Sequence, residues 1–287
     1  MATLGVITDG ISREFERALD VMQEHGLRHA ELQYVWDKEV GDLSDAQIGR
    51  VQELVRNRGM QVICISRHIF AGLPVGQTEP GDSAHQRQMA ALRSCIDTAK
   101  ALDCRLVRIM SFRKEMILFG SGGAEQWNVA TGAWEKLKLL LGPAVQLAED
   151  AGMTLVIETG NNAMITSGHL GRKLVDEMGS RCLRVLWDPG NSLYCAEPAF
   201  PDGYQALRGC LGHVHIKDLL VDIPKATVRQ VRYGDGQMAP YMASIAAALD
   251  DDGYAGAVSL ESVYRPDGGS FEDGFRASFA AFRETFG

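Results

Sequence analysis

No CxxC pair occurs among the six cysteines (Cys64, Cys95, Cys104, Cys182, Cys195 and Cys210). Thiolate zinc and dithiol redox spacings are therefore missing, and a reduced, disulfide-free protein is expected. Positive charge is not in excess either: 29 Lys and Arg against 37 Asp and Glu give a formal net charge of -8. That balance argues against a general binder of phosphate backbones, which needs clustered Lys and Arg. No stretch approaches the roughly 18 uncharged apolar residues of a membrane span. The start, MATLGVITDG, lacks the basic and then long apolar order of a secretory leader. A cytoplasmic protein without nucleic-acid or membrane partners is the expectation. A Walker loop, a GxGxxG fingerprint and a nucleophile elbow are absent as well.

What is present is an ordinary globular composition, 46% apolar and 23% charged over 287 residues, which suits one large α/β domain. Short apolar, β-branched runs recur at Leu4–Thr8, His29–Gln33, Gln61–Ser66, Leu106–Met110, Thr154–Glu158, Leu183–Asp188, Gly212–Lys217 and Ala257–Ser262. Helical spacing fills the intervals at Glu14–Glu24, Asp45–Arg58, Ser83–Ala101, Trp134–Ala151, Gly168–Met178, Pro240–Asp250 and Phe271–Thr285. Asp45 and Asp82 are placed to cap helix starts, and Gly26, Gly59, Gly152, Gly179 and Gly253 follow helix ends. Strand and helix alternate without a linker, which predicts parallel, right-handed units closing into a (β/α)8 TIM barrel, a single domain over residues 1–287. The competing architecture is a doubly wound open sheet.

Two connections exceed what alternation needs, Phe112–Ala133 and Asp218–Ala239, and both follow strands, on the face where barrel enzymes keep their chemistry. The first carries Phe119, Gly120, Gly122, Gly123 and Trp127 and suits a lid or a contact for a homo-oligomer. The second carries Lys225, Arg229 and Arg232, which either clamp a phosphate or pair with surface acids, and it closes with Gly234-Asp235-Gly236.

Strand ends carry the chemistry. Four of them finish in an oxygen or imidazole donor: Glu158, Asp188, His215 and Glu261. The C-terminal ends of neighbouring barrel strands converge on one mouth, so these side chains can meet around a single ion. One such residue alone reads as a solvated loop start; four in successive strands do not. Three carboxylates and an imidazole form a fairly hard donor set, with Mn2+ the first choice among Mn2+, Mg2+, Co2+, Fe2+ and Zn2+. His213 and His215 share one side of their strand, so spacing alone leaves either as the ligand. Glu31 and His68 follow the second and third strands and are expected to bind substrate hydroxyls. Arg108, within the fourth strand, is grouped with the substrate-binding residues and is expected to meet a carboxylate such as Glu31 or a metal-site glutamate. Trp36, Phe70, Phe112 and Trp187 are candidates for an apolar wall beside a sugar ring. His25 and His29 have i, i+4 spacing but straddle Gly26 and read as surface residues.

Ile157-Glu158, Trp187-Asp188-Pro189-Gly190-Asn191, His213-Val214-His215-Ile216-Lys217-Asp218 and Leu260-Glu261 together resemble the signature of the xylose isomerase-like barrel superfamily. That superfamily includes ketose 3-epimerases, hydroxypyruvate isomerase, inosose dehydratase and endonuclease IV. The likeness extends to the GLRHAEL segment of Gly26–Leu32 and so spans essentially the whole chain. It implies one divalent metal on Glu158, Asp188, His215 and Glu261, with Glu158 and Glu261 as the acid/base pair. It also favours His215 as the ligand, and leaves Asn191 and Lys217 to contact substrate. Two departures weaken a free-ketose 3-epimerase: Asn191 stands where those enzymes carry a histidine, and Val221 where they carry an arginine.

The expected activity is a metal-dependent sugar isomerase or epimerase working through an enediolate on a small sugar or polyol. The alternative is a lyase that expels a β-substituent from a keto-sugar or inosose through the same enolate. A nuclease of the endonuclease IV type would need more histidines and a basic surface, and a purely sugar-binding role would leave four intact ligands without a purpose.

Overall fold

The computed structural model describes residues 2–114, 130–195 and 197–287. Its strands are, in chain order, β1 (Thr3–Ile7), β2 (His29–Leu32), β3 (Tyr34–Val35), β4 (Lys38–Glu39), β5 (Gln61–Ile69) and β6 (Leu106–Ile109). They continue with β7 (Thr154–Glu158), β8 (Leu183–Trp187), β9 (Leu211–Ile216), β10 (Asp218–Asp222), β11 (Thr227–Val231) and β12 (Ala257–Leu260). Eight of them form a closed parallel barrel in the order β1-β12-β9-β8-β7-β6-β5-β2. The remaining four make two small antiparallel hairpins, β3-β4 and β10-β11, beyond strand ends. The open-sheet alternative is thereby set aside, because β1 pairs with both β2 and β12 and no sheet edge is left.

The described helices are α1 (Phe15–Glu24), α2 (Asp45–Asn57), α3 (Ser83–Ala101), α4 (Ala130–Ala151), α5 (Gly168–Met178), the short α6 (Tyr204–Leu207), α7 (Ala239–Asp251) and α8 (Phe271–Phe286). Their ends obey local chemistry. Asp82 caps α3 as expected, but α2 is capped by Ser44, which exchanges a capping box with Gln47, so Asp45 is the first helical residue. The Ser44 hydroxyl reaches the amide of Gln47 three residues on, a geometry Asp45 could provide only if the helix began one residue later. In the first turn of α8, Gly274 is required by packing, since a Cβ there would fall 1.9 Å from the carbonyl oxygen of Tyr264.

The core divides in two. Between strands and helices lies one large apolar cluster that includes Leu19, Met22, Leu92, Leu137, Leu141, Ile245 and the ring ladder Phe275, Phe279 and Phe282. Inside the barrel the apolar filling is small, Cys64, Val156 and Leu186 with Leu106 against them. Above that floor the inward side chains include the polar Glu31, Ser66, Arg108, Glu158, His213 and His215. Side chains alternate across a strand, so Ser66 follows Cys64 on the inner face, Arg108 follows Leu106, and Glu158 follows Val156. Trp187, one residue out of phase with Leu186, points outward and packs on Tyr204 at 5.9 Å between ring centroids. It is core, and so does not form the sugar wall proposed for it. No described helix is long and apolar enough to cross a membrane.

Candidate metal centre

Glu31 on β2 is the keystone of the polar interior and has no exposed surface. Its carboxylate takes His213 Nε2 on one oxygen and His215 Nε2 on the other, each at 2.8 Å, and also accepts the Ser66 hydroxyl. Burial acts to raise this carboxyl, but the two histidines outweigh it and hold it well below the usual carboxylate range. An ionised carboxylate only accepts hydrogen bonds, so both Nε2 atoms carry their protons. The other nitrogen of His215, Nδ1, is consequently turned to the mouth. It is buried, has no hydrogen-bond partner, and stands 3.7 Å from Glu158 Oε1, too far for a hydrogen bond.

The carboxylates of Glu158 and Glu261 group with His215, while Asp188 stands outside that trio and is tied to Glu261 through Lys217. Glu158, at the end of β7, accepts Arg108 Nη1 on Oε2 at 3.0 Å. Burial opposes its charge, yet Arg108 and His215 hold it far below the ordinary value. Asp188, directly after β8, accepts the Gly190 amide on Oδ1 at 3.0 Å and Asn191 Nδ2 on Oδ2 at 2.8 Å. Its carboxyl is pushed up to about 7, chiefly by burial, with Glu261 and Glu158 adding to the rise and Lys217 opposing it. Glu261 follows β12 and accepts Lys217 Nζ at 2.7 Å on Oε2. Lys217 also contacts Asp188 Oδ2 and so bridges the two carboxylates. Donor atoms of Glu158, His215 and Glu261 lie within 4.8 Å of one another. An orphaned imidazole nitrogen aimed at buried carboxylates fits a divalent ion, with Glu31 serving as the outer carboxylate that orients the ligating histidine.

Above the centre opens a cavity of about 330 Å3. Its lining includes Glu158, Asn191, Lys217 and Glu261, together with His68 at the end of β5. Arg108 and then burial press the His68 imidazole down to about 4, so it stays neutral at pH 7. The ring still meets solvent, and screening trims the effect without changing its sign.

Glu31 and Arg108 are placed differently from the substrate contacts expected of them. Both lie beneath the cavity with no exposed surface. Glu31 is consumed by the histidines, and Arg108 by Glu158, the Ser66 carbonyl and Gln33. Asn191 lines the cavity, but its amide nitrogen is committed to Asp188 and to the Thr159 carbonyl at 2.7 Å. Phe70 and Phe112 are fully buried and stacked at 4.7 Å, with Phe112 among the residues lining the cavity, while Trp36 sits in the β3-β4 hairpin region and bonds Glu16. Lys225 and Arg232 pair with Asp222 and Asp235, the surface alternative to a phosphate clamp. His25 is half-buried against Phe275 and Phe279, while His29 bonds the Leu4 carbonyl. The aromatic stretch at Phe119–Trp127 lies outside the described residues.

Sequence reasoning missed Asn161, Tyr194 and Gln230, all on the cavity wall. Gln230 has a buried Oε1 with no partner among the described residues. Its signal was faint: it sits in an exposed hairpin whose neighbours show no apolar periodicity.

Residues 19–285 match the family described as xylose isomerase-like TIM barrel. Among solved structures, the chain is similar to an L-ribulose 3-epimerase, with 20% identity, a TM-score of 0.72, and coverage of 100% of this chain and 95% of that one. It is similar to the IolI protein with a bound zinc atom at 15% identity and a TM-score of 0.73, over 99% and 98% of the two chains. The probable 3-DHS dehydratase AsbF from Bacillus anthracis matches at 14% identity and a TM-score of 0.72, over 98% of each chain. No curated protein matches by sequence. At these identities the structural likenesses speak to the fold alone.

Proposed function

Because the chain belongs to the xylose isomerase-like TIM barrel family, we propose that it is a divalent-metal-dependent isomerase or epimerase of a neutral sugar or related polyol. The observation that carries this reading is His215 Nδ1, buried and partnerless on a residue whose donor atoms group with those of Glu158 and Glu261. An ion held by these four residues supplies Lewis-acid stabilisation of the negative charge that develops on a substrate carbonyl oxygen. Mn2+ suits the three-carboxylate set first, although Mg2+, Co2+, Fe2+ and Zn2+ fit the same donors.

The chain's own residues account for the rest. Glu158 and Glu261 come from β7 and from the end of β12, so they approach a substrate in the cavity from different strands. One removes the proton from the carbon beside the carbonyl, and the other returns a proton to the resulting enediolate. Arg108 keeps Glu158 ionised before substrate arrives. Glu31 fixes the tautomer of His215, while Asn191 restrains Asp188.

The wall suits hydroxyl groups. His68, Asn161, Tyr194 and Gln230 offer neutral donors and acceptors. Lys217 is the sole cation among the described lining residues, and it is already paired with carboxylates. Residues 115–129 contain neither Lys nor Arg. Among the described lining residues a phosphate would have only Lys217 to meet, and that only once it leaves the carboxylates.

The test couples metal analysis with deuterium wash-in from D2O over a panel of unphosphorylated ketoses, inososes and 3-keto sugars. About one ion per chain, exchange of a carbon-bound hydrogen, and loss of that exchange in Glu158→Gln and Glu261→Gln by on the order of 10²-fold or more are expected. Exchange that persists in both variants, or a wild-type protein that takes up no metal, would overturn the reading.

A further inference from the structure

Resting on the metal site just proposed, we infer that Lys217 is a tethered cation that competes with the divalent ion for Asp188 and Glu261, and that its displacement sets the affinity of the site. The inference starts from the oxygens. Asp188 Oδ1 is occupied by the Gly190 amide, and Oδ2 by Asn191 Nδ2 and Lys217 Nζ together. Glu261 Oε2 is occupied by the same ammonium at 2.7 Å. Lys217 Nζ sits between Asp188 Oδ2 and Glu261 Oε2, so an ion that takes these two oxygens displaces it.

The partners differ in their freedom to do so. The Gly190 amide is backbone within the turn after β8. Asn191 is 6% exposed and is held from behind by the Thr159 carbonyl. Arg108, the other buried cation, is anchored on Glu158, Gln33 and the Ser66 carbonyl, and it leaves Glu158 Oε1 on the His215 side. Lys217 is different in kind. Its side chain is 10% exposed, it lines the cavity, and four methylenes connect the ammonium to β9's end. A flexible stem carrying a compact charge is suited to swing where a planar, forked guanidinium is not.

The stem also has a prepared track. A Cβ at position 190 would lie 3.0 Å from Lys217 Cγ, so the glycine leaves room for the lysine to lie over the Asp188 turn. Withdrawn from the carboxylates, the ammonium remains on the cavity wall, where it meets substrate oxygen. Without an ion it neutralises carboxylates that would otherwise repel one another inside a low-dielectric pocket. Lys217 thus holds the metal-free centre together and weakens the loaded one.

Mn2+ binding to the full-length protein is measured by electron paramagnetic resonance of the free aquo ion and by calorimetry, for wild type and Lys217→Met, alongside thermal melts in EDTA. Lys217→Met is expected to bind Mn2+ more tightly, on the order of tenfold or more, and its EDTA-treated form is expected to melt below EDTA-treated wild type. Equal or weaker Mn2+ binding by the variant, or an unchanged melt of the stripped protein, overturns the role of Lys217 while leaving the metal reading in place. Uptake of Mn2+ by neither protein overturns both.

Discussion

Arg108 brings a charge to a depth where charge is costly. It is fully buried, its Nη1 lies 3.0 Å from Glu158, and its Nη2 is spent on Gln33 and the Ser66 carbonyl. A buried pair of this kind contributes little net stability when complete, but it costs much when halved, because the remaining charge has no solvent to turn to. Arg108→Met therefore destabilises the metal-free protein by about 3–5 kcal/mol, measured by urea unfolding with EDTA present. A loss under 1 kcal/mol would show that Glu158 finds another cation. The four metal-type residues were visible in sequence because each lies within a residue of the end of an apolar strand, and parallel strands bring such ends together. The depth of Glu31 and Arg108 was not visible. Both alternate with apolar neighbours as a rim residue would, and only the register that runs from β2 through β1 and β12 to β9 shows that Glu31 lies under the two histidines.

At the scale of elements, the β10-β11 hairpin shows how one carboxylate can shape a loop. Asp218 Oδ1 accepts the amides of Leu219 and Met238 at 3.0 Å, and Oδ2 those of Gly234 at 3.1 Å and Gly236 at 2.8 Å. The loop closes so tightly on this oxygen pair that a Cβ on Gly236 would sit 2.1 Å from Oδ1. That closure returns the chain to α7 and holds Gln230 at the cavity. Removing the acceptor leaves several donors unsatisfied, at about 1–3 kcal/mol for each that stays buried. In Asp218→Ala, the amides of Gly234, Gly236 and Met238 are expected to exchange with solvent faster by at least tenfold, with β9 and β12 amides unchanged. Uniform acceleration across the barrel would mean that Asp218 supports the whole fold. The Asp218 and Gly234-Asp235-Gly236 signals stood out in the sequence, but the hairpin between them did not. Thr227, Val228 and Arg229 are all exposed, so no buried face imposes the alternation by which strands are recognised.

The barrel as a whole was legible because closure demands repetition: eight similar runs at similar intervals leave few other arrangements. What repetition does not fix is the charge that the closed barrel must balance. Glu31, Glu158, Asp188 and Glu261 converge on one interior against Arg108 and Lys217, the Lys and Arg side chains that pair with them among the described residues, leaving two negative charges if the histidines are neutral. The metal-free protein relieves this imperfectly. His215, which burial alone would keep neutral, is driven up to about 10 by Glu31 and Glu158, while Asp188 is pushed up to about 7. A divalent ion cancels the deficit outright. Folding and ion binding should therefore be coupled: an ion that binds only the native chain stabilises it by about 2.7 kcal/mol at a hundredfold excess over its dissociation constant. For a chain of this length that corresponds to a rise in Tm on the order of 5 °C. Differential scanning calorimetry of EDTA-treated protein, with and without Mn2+, measures it, and Na+ at equal ionic strength serves as the control. A melt that Mn2+ and Na+ move equally would mean that the interior is balanced by its own protons, and that the four strand-end residues do not form a cation site.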